Sequence, residues 1–392
     1  MAVEQKIIAA TGNGIVAEAY RQIEPDVVCA YPITPQTTIV EEFAKFVAAG
    51  KVKTEFVTVE SEHSSMSACI GSAAAGARTF TATSSQGLAL MFEELLVASG
   101  LRLPIVMVNA NRALAAPINI HGDHSDVMSA RDTGWVILFA ENAQEAYDQT
   151  IIAPRIAEAN LLPVMPTLDG FITTHAIARG EVVDDATVKS FVGEYHPAHA
   201  LLDPEPIMVG GFANLGNTYM KIKQAQRAAA DGALASVKQI ADEWAALTGR
   251  SYDHVEGFGL EDADLVIVIL GSAAGNARAV ARELREGGKK VGIVKLRTYR
   301  PFPSAELAAA LSRAKAVALM DRSDSFGAFA GPLALDTMTA LYAHDLHPQT
   351  RRYIYGLGGA DVKLEYFRRV YEDLEASLAG APDPGLTYLG TD

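Results

Sequence analysis

The chain has 392 residues, 49% hydrophobic and 20% charged, with 47 acidic against 33 basic residues and a formal net charge of −14. At roughly 100–200 residues per domain, that length suggests two or three domains, and the apolar content excludes a disordered chain. The acidic balance argues against a nucleic-acid scaffold, no apolar run reaches the roughly 18 residues a membrane span needs, and MAVEQKIIAATGNG lacks a signal-peptide pattern. These features fit a soluble, cytoplasmic protein. Cys29 and Cys69 sit in apolar or small-residue surroundings and read as reduced core cysteines; alone they cannot hold an iron–sulfur cluster, so any redox metal must live on another chain.

Lys6 to Ala10 lead into Thr11-Gly12-Asn13-Gly14, and Ile15 to Tyr20 have helical spacing. Gly12, Gly14 and Ala17 match the outline of a dinucleotide fingerprint, which needs an acid at the end of the following strand. That strand, Val27-Val28-Cys29-Ala30, ends instead in Tyr31-Pro32-Ile33-Thr34-Pro35, so residues 12–14 read as a helix start and nicotinamide binding is disfavoured. Pro32 and Pro35 hold Ile33 and Thr34 extended, presenting the Thr34 hydroxyl on a stiff loop; a rigid turn without a ligand is the alternative. Residues 56–59 read as a short buried strand delivering Glu60, Ser61, Glu62 and His63. A small-residue helix over 64–76 follows, then a strand over 78–83 ending in Ser84-Ser85-Gln86-Gly87. Polar groups thus gather at strand C-termini, where parallel α/β sheets bind ligands. The plainer alternative is a close-packed core helix flanked by solvated acids.

A helix over 88–100 precedes a buried strand, 104–108, that delivers Asn109-Ala110-Asn111-Arg112-Ala113. A guanidinium there wants an anion, either a substrate carboxylate gripped bidentately or an acid of the chain itself. His121, Asp123, His124 and Asp126 crowd into six residues, but no second cluster completes a metal set; the segment reads as a loop turning into a helix capped by Ser125 or Asp126. Strands over 134–139 and 162–169 flank a helix over 143–160, the last strand ending in Asp169-Gly170. This alternation predicts a parallel sheet covered on both faces. The pattern loosens from Pro204 to about Asp253, with a turn at Gly210-Gly211-Phe212 and an Ala/Gln-rich helix over 220–247 read as a surface arm. Strand and helix periodicity then returns, with strands over 264–270, 290–296, 316–321 and 352–356. Gly271 to Gly275 open a helix and could hold an anion or simply turn the chain; they lack the Gly-x-Ser-x-Gly elbow of serine hydrolases. The expected division is an α/β domain over 1–200, a linker and helical arm over 201–255, and a second α/β domain over 256–392.

Taken in order, Tyr31-Pro32-Ile33-Thr34-Pro35, Glu60-Ser61-Glu62-His63, Thr83-Ser84-Ser85-Gln86-Gly87, Ala110-Asn111-Arg112-Ala113, Asp123-His124-Ser125-Asp126, Arg131-Asp132-Thr133-Gly134-Trp135 and Leu296-Arg297-Thr298-Tyr299-Arg300-Pro301-Phe302-Pro303 form a specific set. It resembles the alpha subunit of the multi-subunit 2-oxoacid:ferredoxin (acceptor) oxidoreductases, most closely the pyruvate and phenylglyoxylate types, over nearly the whole chain. The resemblance implies two doubly wound parallel-sheet domains, a pyrimidine-binding type followed by a transketolase C-terminal type. It implies oxidative decarboxylation of a 2-oxoacid with coenzyme A to an acyl-CoA, using thiamine diphosphate shared with a beta subunit. Mg²⁺ and [4Fe-4S] clusters would lie on beta-, gamma- or delta-type partners, and electrons would pass to ferredoxin or an NAD-reducing subunit. The cofactor-activating acid is implied to be Glu62, with Glu60 a close rival if the strand persists. A glutamate bonded to the pyrimidine ring nitrogen promotes the tautomer that takes the thiazolium proton, and a carboxyl in an apolar pocket keeps a proton to donate. Arg112 is implied to hold the substrate carboxylate, Thr34 its keto oxygen or carboxylate, and Pro32 and Gln86 to line the cofactor. Pyruvate is the common substrate, although Ala115, Ala116 and Gly122 could leave room for an aryl group. The rival is a non-catalytic scaffold or regulatory subunit that kept the fold without the chemistry.

Overall fold

Most of the strand–helix alternation in the sequence becomes strands with crossover helices in the computed structural model, which describes residues 3–204, 207, 210 and 216–391. The N-terminal half contains β1 (Gln5–Thr11), α1 (Gly12–Ile23), β2 (Val27–Ala30), α2 (Thr37–Ala48), β3 (Glu55–Thr58), α3 (Glu62–Ala74), β4 (Thr79–Thr83), α4 (Ser85–Leu90) and α5 (Phe92–Gly100). It continues through β5 (Val106–Asn111), α6 (Ser125–Ser129), β6 (Val136–Phe139), α7 (Ala143–Asn160), β7 (Val164–Asp169), β8 (Ile177–Val183) and α8 (Asp185–Val192). After α9 (Thr218–Thr248) come β9 (Val255–Phe258), β10 (Leu265–Ile269), α10 (Ala273–Glu286), β11 (Val291–Leu296), β12 (Thr298–Arg300), α11 (Ser304–Leu311) and β13 (Ala316–Asp321). The chain closes with α12 (Pro332–Ala343), β14 (Gln349–Ile354), α13 (Leu364–Leu378) and β15 (Leu386–Tyr388).

Among the described residues these strands build a seven-stranded sheet in the order β12-β6-β7-β5-β4-β2-β3 and a six-stranded sheet in the order β15-β14-β13-β10-β11-β9. Both are parallel except at one edge, where β12 runs antiparallel to β6 and β9 antiparallel to β11. The α/β expectation therefore holds, with three differences in detail. β1 stays out of the main sheet and pairs antiparallel with β8 along its whole length, because the chain after β7 returns beside it. β3 is the outermost strand of its sheet, so Phe56 and Val57 are only half-buried and the expected buried strand is an edge. The helix expected over 88–100 breaks at Met91 into α4 and α5.

The helical arm is real but it is not merely a surface feature. The second half of α9 buries Ala233, Val237, Ile240, Ala241 and Trp244 in the same apolar cluster as α1 and α7, while its first turns, with Tyr219 and Met220, are exposed. Of the turn expected at Gly210-Gly211-Phe212, Gly211 and Phe212 lie outside the described residues.

The two sheets share a core. One apolar cluster joins Met66, Leu95, Met107, Trp135 and Phe139 of the first half to Val266, Val294, Tyr299 and Leu333 of the second. An ion network reinforces the join. The Lys295 ammonium on β11, 1% exposed, meets Glu141 (2.7 Å), Glu145 (2.8 Å) and Glu256 (2.9 Å). Burial alone would raise the Glu145 pKa, but Arg297 and then Lys295 pull it down to about 2. Buried charge is tolerated here because each ion is paired.

Candidate functional site

β2, β4 and β5 run parallel, so their C-termini open on one rim of the sheet, and the candidate residues follow them directly. The loop after β2 is stiffened by more than its prolines. The Gln36 side chain spans it, accepting from Ile33 N (3.1 Å) and donating to the Ala82 carbonyl of β4 (3.0 Å). Asn13 donates to the Pro35 carbonyl and to Thr38 Oγ1, each at 2.6 Å. Pro32 and Thr34 are left exposed, and the Thr34 hydroxyl has no hydrogen-bond partner among the described residues.

The two acids after β3 are separated by where the helix begins. Ser61 caps α3 by accepting from Ser64 N, so Glu62 is the first helical residue rather than the end of a strand. Glu60 is exposed and tied up with the Ser64 hydroxyl (2.6 Å), a bond that holds its carboxyl below the usual range. Glu62 is only 7% exposed, and its carboxylate takes no hydrogen bond or ion pair from any described residue. It lies against Gly87: a Cβ there would stand 2.8 Å from Glu62 Oε1 and 2.5 Å from Thr83 Oγ1. Only a glycine lets the turn after β4 approach the acid this closely.

That turn is continuous with the third loop. The Ser85 hydroxyl lies within hydrogen-bond distance of Gln86 Oε1 (2.7 Å) and of the Ala113 carbonyl (2.5 Å). Beneath both loops sits Asp126, fully buried, whose Oδ2 accepts from Ser85 N (2.9 Å), Arg112 N (3.0 Å) and Asn109 Nδ2 (3.0 Å). Burial pushes its pKa up to about 6 against these donors. Arg112 then closes the circuit, donating through Nη1 to the Thr34 carbonyl (2.9 Å) and through Nε to the Asn119 carbonyl (2.8 Å). It is 6% exposed and pairs with no acid among the described residues; burial lowers its pKa, with Asp126 opposing. Among the described residues, the internal ion pair that the sequence left open for this arginine does not form. Thr34, Glu62, Gln86 and Arg112 therefore belong to one connected rim, with Pro32 on its exposed lip.

Two motifs have other uses. In the histidine–aspartate cluster, Asp123 accepts from Ser125 and from Gly358 N, and His124 donates to Asp169 Oδ1 (2.8 Å). Asp169 Oδ2 in turn accepts from Ser272 N (2.9 Å), Ser272 Oγ (2.6 Å) and Arg322 Nη1 (3.1 Å). The glycine-rich start of α10 thus does receive an anion, the chain's own carboxylate from the other sheet. Burial would raise the Asp169 pKa, but His124 and then Arg322 hold it far below the usual carboxylate range. Gly122 opens no room for a bulky substrate, since a Cβ there would stand 2.6 Å from the Gly170 carbonyl. Two large cavities, about 980 and 570 Å³, are lined around Arg155 and Phe191 and around Trp135 and Arg300, without Thr34, Glu62 or Arg112. Pro32, Thr34 and residues 115–118 are exposed beside the buried Glu62 and Arg112, so the rim is suited to being completed by another molecule.

Solved structures with this fold include 2-oxoglutarate:ferredoxin oxidoreductase from Magnetococcus marinus with 2-oxoglutarate, coenzyme A and succinyl-CoA bound (TM-score 0.72, 20% identity, 95% of this chain and 66% of that one). A split-gene transketolase, an inactive beta4 tetramer, aligns with a TM-score of 0.57 at 14% identity, covering 95% of this chain and 99% of that one. Residues 18–242 match the family described as pyruvate flavodoxin/ferredoxin oxidoreductase, thiamine diphosphate-binding, which sets the class: an oxidoreductase subunit built on a thiamine-diphosphate-binding α/β fold. Residues 263–367 match pyruvate:ferredoxin oxidoreductase core domain II. The chain belongs to this family as an alpha-type subunit. It is 51% identical to pyruvate synthase subunit PorA of Thermotoga maritima, over 93% of this chain and 94% of that protein. It is 39% identical to the alpha subunit of NADH-dependent phenylglyoxylate dehydrogenase of Aromatoleum evansii, over 97% and 94%. No helix among the described residues is long and apolar enough to cross a membrane.

Proposed function

We propose that the chain is the alpha subunit of a cytoplasmic complex that oxidatively decarboxylates pyruvate, joining the acetyl group to coenzyme A and passing electrons to [4Fe-4S] clusters on partner subunits. Beta-, gamma- and delta-type partners would complete it, with Mg²⁺ on the partner that holds the diphosphate and ferredoxin or an NAD-reducing subunit as acceptor. The observation that carries the reading is Glu62, a buried carboxylate with no partner among the described residues, on the same rim as an arginine with no acid partner among them. A little-exposed carboxylate without a partner and a desolvated guanidinium without a counter-ion both cost stability, so both groups fit a site whose remaining contacts come from ligand. Bound thiamine diphosphate supplies the electron sink that lets a 2-oxoacid lose CO2.

The work of this chain is to hold, orient and exclude. Glu62 would share a proton with the pyrimidine ring nitrogen, and the glycine at 87 would keep that carboxyl from being displaced. Gln86 and Pro32 would line the same ring. Arg112, desolvated and fixed at two of its nitrogens, would present its free Nη2 to the substrate carboxylate, a charge-assisted contact that holds the 2-oxoacid in one orientation. The Thr34 hydroxyl, free of partners among the described residues, would donate to the keto oxygen or the carboxylate. Pyruvate is preferred to an aryl 2-oxoacid because the 51%-identical relative is a pyruvate synthase subunit and because Gly122 faces backbone rather than space. The assembled complex, assayed with pyruvate, a branched 2-oxoacid and phenylglyoxylate, should show the highest kcat/KM with pyruvate; a clear preference for phenylglyoxylate would overturn the substrate assignment.

A further inference from the structure

The middle of the loop that carries Arg112, residues 114–121, is poorly packed: Ile118 is 80% exposed and Ile120 44%. Beyond local contacts such as Leu114 N to Ser125 Oγ (2.9 Å), it is held by the other sheet, in the turn of residues 356–359 that follows β14. Asn119 Nδ2 donates to the Gly358 carbonyl (2.9 Å), and Gly358 N donates back to Asp123 Oδ2 (2.9 Å). Asn119 Oδ1 accepts from His121 N (2.7 Å), and the His121 carbonyl accepts from Ala113 N (3.0 Å), so the loop closes around the residue that the turn grips. The backbone carbonyl of that same Asn119 receives Arg112 Nε.

The turn is built for this approach. Gly358 and Gly359 have φ of +58° and +78°, a region that disfavours side chains, and a Cβ on them would collide with Asn119 Nδ2 and with His121 Cβ. Its near end is fixed by Arg322, which donates through Nε to the Gly356 carbonyl (3.1 Å) and through Nη1 to Asp169.

We propose that Asn119, gripped by the 356–359 turn, is a positioning residue that aims Arg112 at the carboxylate of the 2-oxoacid, so that the second sheet sets the geometry of the substrate site from outside it. The proposal rests on the reading of Arg112 as the substrate-binding residue. Nε on Asn119 and Nη1 on Thr34 fix the plane of the guanidinium, which a fork-shaped contact needs. Without the Asn119 side chain the loop and its carbonyl drift, and the guanidinium loses one of its two anchors. Substrate capture suffers, while the chemical step at saturation is untouched.

In the assembled complex, Asn119→Ala and Gly358→Ala should each raise KM for the 2-oxoacid about tenfold, with kcat within about twofold and KM for coenzyme A unchanged. Adding Asn119→Ala to Arg112→Ala should cost nothing further, because the two act through one contact. Unchanged KM in Asn119→Ala, a loss in kcat alone, or full additivity with Arg112→Ala would overturn the positioning role. If Arg112→Ala itself leaves KM unchanged, the reading of Arg112 falls, and this inference with it.

Discussion

Asp169 is the sharpest test of how the two halves are held together. Its carboxylate, 1% exposed, receives His124 from its own half and Ser272 and Arg322 from the other. Asp169→Asn keeps the shape but removes the charge, leaving the Arg322 guanidinium, 2% exposed, without its counter-ion. Breaking one side of a buried pair in this way costs about 3–5 kcal/mol. With an unfolding entropy of roughly 2.1 cal/mol/K per residue, the 392-residue chain should lose about 4–6 °C in Tm. Calorimetry on the variant and on Asp169→Asn/Arg322→Met at matched concentration separates charge from shape. Most of the loss should return when both partners are removed, since the penalty is the stranded cation. The sign with pH follows from the lowered Asp169 pKa: the stabilisation is present above the unfolded value of about 3.9 and drains away as pH falls below it. The gap between parent and Asp169→Asn should therefore narrow in acid. A Tm within about 1 °C of the parent, or a double variant as unstable as the sum of its parts, would refute this account.

Glu62→Gln should abolish turnover while the subunits still assemble, whereas Glu60→Gln, on an exposed side chain, should stay near the parent rate; activity and size-exclusion measurements read both. Arg112→Ala should lower kcat/KM for the 2-oxoacid by about 2–4 kcal/mol, roughly 30- to 1,000-fold, and steady-state kinetics that show no loss would remove it from the substrate site. Asp321 is fully buried; burial pushes its pKa up to about 7, against the Leu333 and Ala334 amides that donate to it. A raised carboxyl stabilises the fold when protonated, so the parent should lose up to about 4 kcal/mol relative to Asp321→Asn as pH climbs from about 4 to 7. Denaturant unfolding at several pH values checks this, and a difference that stays flat with pH would contradict it.

The alternation of strands and helices was legible because the central strands are buried on both faces and read as apolar runs, as in β5, β10 and β13. Edges were not: β1 and β3 carry the same short apolar patterns, and only the pairing partner decides whether such a run is central, marginal or outside the sheet. Glu62 could be singled out, but its separation from Glu60 depends on the helix starting at that residue, which the Ser61 cap settles and residue types alone leave open. Arg112 and Thr34 were found separately at two strand ends; that the guanidinium bonds the Thr34 carbonyl is a contact across 78 residues. Asp126 carries a weak local signal: Ser125 or Asp126 reads as the cap of the following helix, and nothing nearby in sequence shows that Asp126 underlies two loops. The links from Asp169 to Arg322 and from Asn119 to Gly358 span 153 and 239 residues, and no local pattern encodes them.

The antiparallel strand β12 lies late in the chain yet finishes the first sheet, lying along β6 with Thr298 opposite Leu138 and Arg300 opposite Ile137. A gene cut at residue 255 to express the halves apart would therefore leave the leading piece with a bare flank on β6, a row of amides and carbonyls open to strand addition from any neighbour. The trailing piece would carry the missing ribbon with nothing to lay it against. The fold is thus stitched so that neither fragment is whole, and synthesis must run past residue 300 before the first sheet can seal its border.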